Sequence, residues 1–325
     1  MDIWVPVLGL IVGFITLVWS ADRFLSGAAS TASHLGMSKM LIGLTVVAVG
    51  TSAPELLVAL AASLEGNSLL AVGNAIGSNT ANIGLVLGIT ALIAPLPFSQ
   101  TVLRAELPWL LGATLLALLL LFDLQLTALD GLLLLAGLGF ILYRLVHNQK
   151  NVGKDVSASI EEELEDLPKM TQRQALRWLL LGLAVLLVSA ELLVWAATSI
   201  ATTLGVSDMI IGLTIVAIGT SLPELAATVG SAMKGHTDIA IGNVVGSNIL
   251  NILAVLSIPA LFGPTTIESV SLWRDFGTML ALTILLGFFA YAMNSQKVIT
   301  RFEGAVMLIA WAGYNFLLIQ QVQVG

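Results

Sequence analysis

The sequence predicts an all-α integral membrane protein with ten transmembrane helices, arranged as two five-helix repeats of opposite topology. Three observations support this prediction: a lipid-compatible composition, recurring apolar stretches of spanning length, and motifs of the first half that return in the second. Hydrophobic residues make up 57% of the 325 residues and charged residues 10%, and the mean hydropathy is +0.98. A soluble domain is closer to one quarter charged, because water must solvate its surface.

The composition also excludes several classes of protein. The chain has no cysteine, so disulfide scaffolds, thiol chemistry and cysteine-based metal sites are ruled out. A net charge of -7 disfavours a nucleic-acid partner. Neither an enzyme nor a resident cofactor is expected. The expected surroundings are membrane lipid and inorganic cations; the oligomeric state is left open, with a monomer as one candidate.

Ten apolar stretches have the length needed to span a membrane, which is about 20 residues at 1.5 Å of rise each. They lie near residues 3-31, 40-63, 69-97, 106-122, 128-147, 176-203, 208-233, 238-262, 272-293 and 302-322. The polar, acidic segment 148-174 is predicted to link a first repeat, 1-147, to a second, 175-325. A solvated linker is favoured over a regulatory cation site, because its spacing resembles no EF-hand loop.

The orientation follows from the basic residues, since short cytoplasmic loops retain Lys and Arg. With the N-terminus outside, eleven of the thirteen lie at cytoplasmic ends, and only Arg23 and Arg274 do not. Both termini are therefore predicted to be outside and the linker cytoplasmic.

The two halves share motifs at one fixed offset, which aligns position 41 with position 210 and position 71 with position 240. Residues 41-55 match 210-224 at eleven of fifteen positions, and 71-82 match 240-251 at seven of twelve. Five spans separate each residue from its partner, and five is odd, so the two copies cross the membrane in opposite senses. Inverted repeats typically place a substrate site near the midplane at their interface, which favours a transporter.

The first motif is G-T-S-x-P-E. On a helix, Thr51 and Ser52 share a face with Glu55. Pro54 lacks the N–H that would bond to the Gly50 carbonyl, and the local backbone, including the Ala48 carbonyl, is expected to offer unpaired oxygens. The second copy places the same features at Ala217, Thr220, Ser221, Pro223 and Glu224. A carboxylate in an apolar span costs roughly 2.5 to 3.5 kcal/mol or more and indicates a functional site. The alternative is a purely structural role, in which a protonated Glu bonds to a neighbouring helix.

The second motif is G-N-x-x-G-S-N-x-x-N. Its four-residue spacing places Asn74, Ser78 and Asn82 on one polar stripe, and Asn243, Ser247 and Asn251 on the matching one. The glycines fit close helix packing instead. Together the two motifs supply carboxylate, hydroxyl, amide and backbone oxygens, and the amides of Asn82 and Asn251 are included among the expected ion ligands. Calcium takes 6 to 8 oxygen ligands, whereas transition metals usually recruit His or Cys, so a calcium-like hard cation is favoured.

With both motifs in both halves, the chain resembles the cation/calcium exchanger superfamily and is most similar to its prokaryotic sodium/calcium exchangers. The resemblance covers essentially the whole chain. It implies the exchanger fold, a prokaryotic plasma membrane location, and alternating access in which the first and sixth spans move against the core. It also implies ligands, calcium being held by Glu55, Glu224, Thr51 and Thr220. Sodium would also use Ser52, Ser78, Ser221, Ser247 and the backbone at Ala48 and Ala217.

Asn251 departs from the pattern of several relatives, which carry Asn at the position of Asn82 but Asp at the position of Asn251, so both residues are neutral here. The site then has two formal negative charges, enough for one calcium or two sodium ions. Sodium-driven calcium antiport is the leading hypothesis. Proton-coupled calcium exchange in the same fold remains open, as does, less favoured, a calcium-permeable channel, which would need no counter-ion. An intramembrane hydrolase is disfavoured, because no His, Cys or metal triad accompanies the Glu pair.

Overall fold

The computed structural model describes residues 4-34, 43-100, 102-150, 170-203, 217-293 and 297-324. Within them, six helices are long and apolar enough to cross a membrane, and a bent pair provides a seventh candidate. Each of the ten predicted stretches coincides with helix in the described residues. The number of membrane crossings stays a prediction. Residues 35-42, 151-169 and 204-216 lie outside the described residues, and with them most of the predicted linker and parts of the second and seventh stretches.

The first repeat begins with α1, Trp4–His34. A π-helical turn, Gly43–Val47, continues as the short helix Ala48–Thr51, together called α2, and α3 follows at Ala53–Leu64. The remaining helices are α4 at Ser68–Ile93, α5 at Val102–Leu121 and α6 at Ala128–Lys150.

The second repeat has α7 at Gln172–Thr203, α8 at Ala217–Thr220 and α9 at Leu222–Met233. It continues with α10 at Thr237–Phe262, α11 at Ser269–Tyr291 and α12 at Arg301–Val324. The first and last residues of α3 and α9 are related by the same offset as the motifs, and so are those of α4 and α10. The repeat seen in the sequence is therefore also a repeat of helix boundaries.

Four two-residue strands join the repeats to each other. Strand β1, Leu96–Pro97, pairs with β4, Val298–Ile299, and β2, Gln125–Leu126, pairs with β3, Thr265–Thr266, both antiparallel. Each pair thus takes one strand from each half. Leu124 and Lys297, one before β2 and one before β4, both have positive φ, 64° and 53°. Their carbonyls accept hydrogen bonds from the amides of Ile267 and Phe98 at 2.9 and 2.8 Å.

Buried apolar side chains in the described residues form two separate clusters. The larger unites residues of α3 to α6 with residues of α9 to α12. The smaller is built on α1 and α7, with Val47, Ala227 and Ile239 as its contacts to neighbouring helices. The α1–α7 pair therefore packs mainly on itself, beside a core made from both repeats.

Close approach of α1 and α7 depends on glycine. A Cβ added at Gly182 would lie 2.5 Å from the backbone nitrogen of Phe24, and one at Gly27 would overlap the backbone of Leu179. Small residues let helix backbones meet in this way inside membranes.

Candidate cation-binding site

Two helix breaks at equivalent positions of the repeats precede the motif glutamates. Ser52 separates α2 from α3 with φ -82° and ψ 7°, and the axes of the two helices differ by 46°. Ser221 separates α8 from α9 with φ -88° and ψ 3°. Pro54 and Pro223 each follow in the first turn of the new helix, where a missing N–H is tolerated. The breaks place Glu55 and Glu224 in the first turns of α3 and α9.

The carbonyl of Ala48 differs from the expectation of an unpaired oxygen. It accepts a hydrogen bond from the Ser52 amide at 2.9 Å and a longer one, 3.4 Å, from Thr51 Oγ1. The prediction was wrong there because the helical bond pattern continues as far as residue 52. In the second repeat the Ser221 amide donates to Ile218 instead, at 3.1 Å. Ala217 is the counterpart of Ala48, and its side chain lies outside the described residues.

Both glutamates are fully buried, and a hydrogen bond from the first repeat reaches the glutamate of the second. Glu55 and Glu224 each have 0% of their surface exposed. Ser52 of the first repeat donates to Glu224 Oε1 of the second at 3.0 Å. Burying two acidic groups in this way is unfavourable unless something compensates their charge.

Oxygen atoms without a partner concentrate at this interface. Within the described part of the chain, neither carboxylate oxygen of Glu55 has a hydrogen-bond partner, nor does Glu224 Oε2. The same holds there for the hydroxyls of Ser221 and Ser247. A buried polar group left unpaired costs about 1 to 3 kcal/mol, and more if charged. Such a cluster of acceptors needs a source of positive charge, which a bound cation would supply.

The stripe residues are buried beside the glutamates. Ser78 is 4% exposed, and Asn82 and Asn251 are 0% exposed. Asn82 and Asn251 each begin a π-helical segment, Asn82–Leu87 and Asn251–Val255, a local widening that is frequent at functional sites. Asn82 Nδ2 donates to Asn248 Oδ1 at 3.1 Å. Among described residues, neither amide atom of Asn251 has a partner.

Three further residues at the site were not predicted as site residues. Thr51 Oγ1 donates to Asn243 Oδ1 at 3.1 Å, and Asn243 Nδ2 donates to Thr228 Oγ1 at 2.9 Å. Asn74 Nδ2 donates to the Glu55 carbonyl at 3.1 Å. Both asparagines are in the second motif. Thr228 could have been found from its spacing, since it follows Glu224 by one helical turn.

The donor set suits a hard cation. It contains two carboxylates, at least four buried hydroxyls and two asparagine amides, which are all oxygen ligands of the kind calcium and sodium take. No group of three or more His, Cys, Asp or Glu side chains clusters in the described ranges. Any ion bound between the repeats therefore depends on neutral oxygens as well as on the glutamates. Thr220 directly precedes Ser221, at the break between α8 and α9, and is half-buried.

Comparisons with known proteins agree with these features. The family described as sodium/calcium exchanger protein matches residues 5-146 and 175-320. The chain is 45% identical to CaxA of Alkalimonas amylolytica, with 95% of this chain and 97% of the relative covered. It is 32% identical to the sodium/calcium exchanger MaX1 of Methanosarcina acetivorans, covering 95% and 97%.

A solved structure with the same fold is that of the sodium-calcium exchanger NCX_Mj, soaked with sodium and without calcium. The TM-score is 0.79 and the identity 32%, over 95% of this chain and 97% of that one. This likeness confirms the predicted exchanger fold. The chain therefore belongs to the sodium/calcium exchanger family.

Proposed function

We propose that the protein is a secondary antiporter that exchanges calcium for sodium at the interface between its two repeats. The observation that carries the proposal is the group of buried, unpartnered oxygens on Glu55, Glu224, Ser221 and Ser247, counted over the described residues. The family and its relatives support the choice of calcium and sodium. No resident cofactor enters the proposal, because both ions are substrates.

The proposed ion-binding side chains are the predicted ones. Calcium is held by Glu55, Glu224, Thr51 and Thr220, and sodium also uses the serines and the backbone at Ala217. One calcium or two sodium ions balance the two carboxylates. Since Asn251 is neutral, a third sodium leaves one positive charge uncompensated, worth about 2.3 kcal/mol per 100 mV if it moves across the whole potential.

The charge balance explains why exchange is obligatory. An empty site leaves two buried carboxylates uncompensated, which makes it costly to carry them past the low-dielectric helix pair. An occupied site is neutral. The α1–α7 pair packs on its own apolar cluster, so it is the element suited to slide past the loaded core. Calcium and sodium compete for the same carboxylates and therefore cross in opposite directions.

The protein is placed in the plasma membrane of a prokaryote, with both termini outside. A relative of 40% identity is named an inner membrane protein of Escherichia coli, which supports the location. The orientation rests on the basic residues, and the linker faces the cytoplasm. A monomer suffices for transport, because both copies of each motif lie in one chain.

The test is calcium-45 uptake into proteoliposomes. Vesicles loaded with sodium are diluted into sodium-free buffer, and parallel vesicles carry only a pH gradient. Uptake that needs internal sodium and is insensitive to a protonophore is the expected result. Uptake driven by the pH gradient alone would replace sodium with protons as the coupled ion. Uptake that needs neither gradient would indicate a channel.

A further inference from the structure

Asn243 links the two repeats beside the ion site. Its side chain is fully buried on α10 and reaches three partners on two helices. Asn243 Nδ2 donates to Thr228 Oγ1 at 2.9 Å and to the carbonyl of Glu224 at 3.4 Å, both on α9. Its Oδ1 accepts from Thr51 Oγ1 of α2 at 3.1 Å. The Asn243 side chain therefore connects α2, which ends at the break of the first repeat, to α9, which carries Glu224.

The partners fix which way the Asn243 amide points. The Glu224 carbonyl can only accept, so the nitrogen must face α9 and the oxygen must face Thr51. A hydroxyl has a single hydrogen, and Thr51 Oγ1 lies 3.1 Å from Asn243 Oδ1 and 3.4 Å from the Ala48 carbonyl. The shorter bond is the one with Asn243.

A hydroxyl that binds a cation must offer lone pairs and place its hydrogen elsewhere. We propose that Asn243, held by Thr228, is a positioning residue that takes the hydrogen of Thr51 and thereby presents the lone pairs of Thr51 to calcium. This inference rests on the proposed function. It adds two residues, Asn243 and Thr228, that support a proposed calcium ligand through hydrogen bonds. The gain is one of preorganisation, because the ion need not reorient the hydroxyl when it binds.

The two halves of the site differ in this respect. Ala59, which the repeat aligns with Thr228, has a side chain that cannot accept a hydrogen bond. Asn74, the counterpart of Asn243, still donates to the Glu55 carbonyl at 3.1 Å, yet it is only half-buried. A threonine that accepts a hydrogen bond from the motif asparagine is therefore present on α9, and alanine stands at the matching position of α3.

The test removes the hydroxyl of Thr228 while keeping the shape of the side chain. Thr228→Val preserves volume but loses the hydroxyl, and Thr228→Ser keeps the hydroxyl. A matched control is Thr114→Val, because Thr114 is also 0% exposed and bonds within its own helix, to Leu110 at 2.8 Å. Calcium-45 binding to purified protein in sodium-free detergent solution gives the affinity, and proteoliposome uptake gives the maximal rate.

Thr228→Val is expected to weaken calcium binding about fivefold, the net worth of one buried hydrogen bond. The maximal uptake rate at saturating calcium should stay within about twofold, since the ligands themselves remain. Thr228→Ser and Thr114→Val should bind calcium like the parent. Unchanged affinity in Thr228→Val would overturn the inference, as would an equal loss in Thr114→Val. Failure of the parent to bind calcium at all would instead overturn the proposed function.

Discussion

Lys234 Nζ lies 2.5 Å from Asp22 Oδ1, and this ion pair ties the C-terminal end of α9 to α1. The internal repeat maps Asp22 onto Glu191 and Lys234 onto Glu65, because both pairs are related by the offset of the shared motifs. The equivalent contact between α7 and α3 would therefore bring two acidic residues together. The attraction between Lys234 and Asp22 supports the described conformation, whereas the corresponding contact between Glu65 and Glu191 would be repulsive.

Breaking this ion pair should loosen the contact between α1 and the end of α9. The side chains of Lys234 and Asp22 are 35% and 47% exposed, so the pair contributes only about 0.2 to 1 kcal/mol, at most about fivefold in an equilibrium. Lys234→Gln and Asp22→Asn are each expected to increase labelling of a cysteine introduced at the buried Ser231 by a membrane-impermeant thiol reagent. The chain has no native cysteine, so labelling reports that position alone. A double variant that labels faster than both single variants would contradict a shared cause.

Glu55→Gln and Glu224→Gln should each abolish calcium uptake. Both carboxylates are fully buried, and removing either leaves one negative charge to balance a divalent ion. The variants should still insert and elute as folded protein in detergent, because the amide has the same shape. Wild-type exchange by either variant in sodium-loaded proteoliposomes would remove that glutamate from the ion-binding set and contradict the two-carboxylate charge balance.

Ser52 and Ser221 are counterparts in sequence but have different bonds, which predicts unequal effects in the ion-free protein. Ser52 donates to Glu224, so Ser52→Ala should lower the free energy of unfolding by about 1 to 3 kcal/mol. The Ser221 hydroxyl has no partner in the described chain, so Ser221→Ala should have a smaller effect. Thermal unfolding in detergent without calcium or sodium measures both. Equal losses would contradict the asymmetry.

Asn251→Asp should alter the sodium dependence or the pH dependence of exchange more than the calcium affinity. The substitution adds a third acidic group next to a site with two, at a position that is 0% exposed. A third charge admits another sodium ion or a proton. The measurement is calcium-45 uptake over a range of internal sodium concentrations and pH values. No change in either dependence would show that the charge at position 251 does not enter the transport cycle.

Gly182→Ala should weaken the docking of α1 against α7. A Cβ at Gly182 would lie 2.5 Å from the Phe24 nitrogen, and rigid backbone cannot yield as a flexible side chain does. Overpacking of this kind costs typically about 1 to 3 kcal/mol. Gly139→Ala is the matched control, because nothing lies within 4 Å of its added Cβ and alanine favours the helix. A lower unfolding temperature in Gly182→Ala alone is the expected result.

The sequence was sufficient to locate the buried acidic residues and the breaks beside them. Charge in an apolar stretch is costly, and proline lacks an amide hydrogen, so Glu55 and Pro54 are informative without any knowledge of packing. The exchanger fold followed from the motifs that recur in the second half at a fixed offset. Which of the ten ligand side chains bind which ion stays a prediction.

Contacts between distant segments could not be predicted in the same way. Strands β1 and β4 are two residues long, too short for an alternating pattern, and their pairing depends on where two loops meet. The bond from Asn243 to Thr51 depends on how α10 lies against α2, which helical periodicity does not determine. The Ala48 carbonyl was mispredicted for a similar reason, since the position of a break within a helix decides which carbonyls lose their donors.

The pairing of strands from different repeats has a consequence for how the chain is synthesised. Leu96 and Pro97 find their partners only at Ile299 and Val298, which are synthesised near the end of the chain. Gln125 and Leu126 likewise wait for Thr266 and Thr265. The first half can enter the bilayer as it leaves the ribosome, yet its two loops stay without their strand partners until the second half is inserted. Two separately translated halves would need to meet in the membrane to complete both ladders.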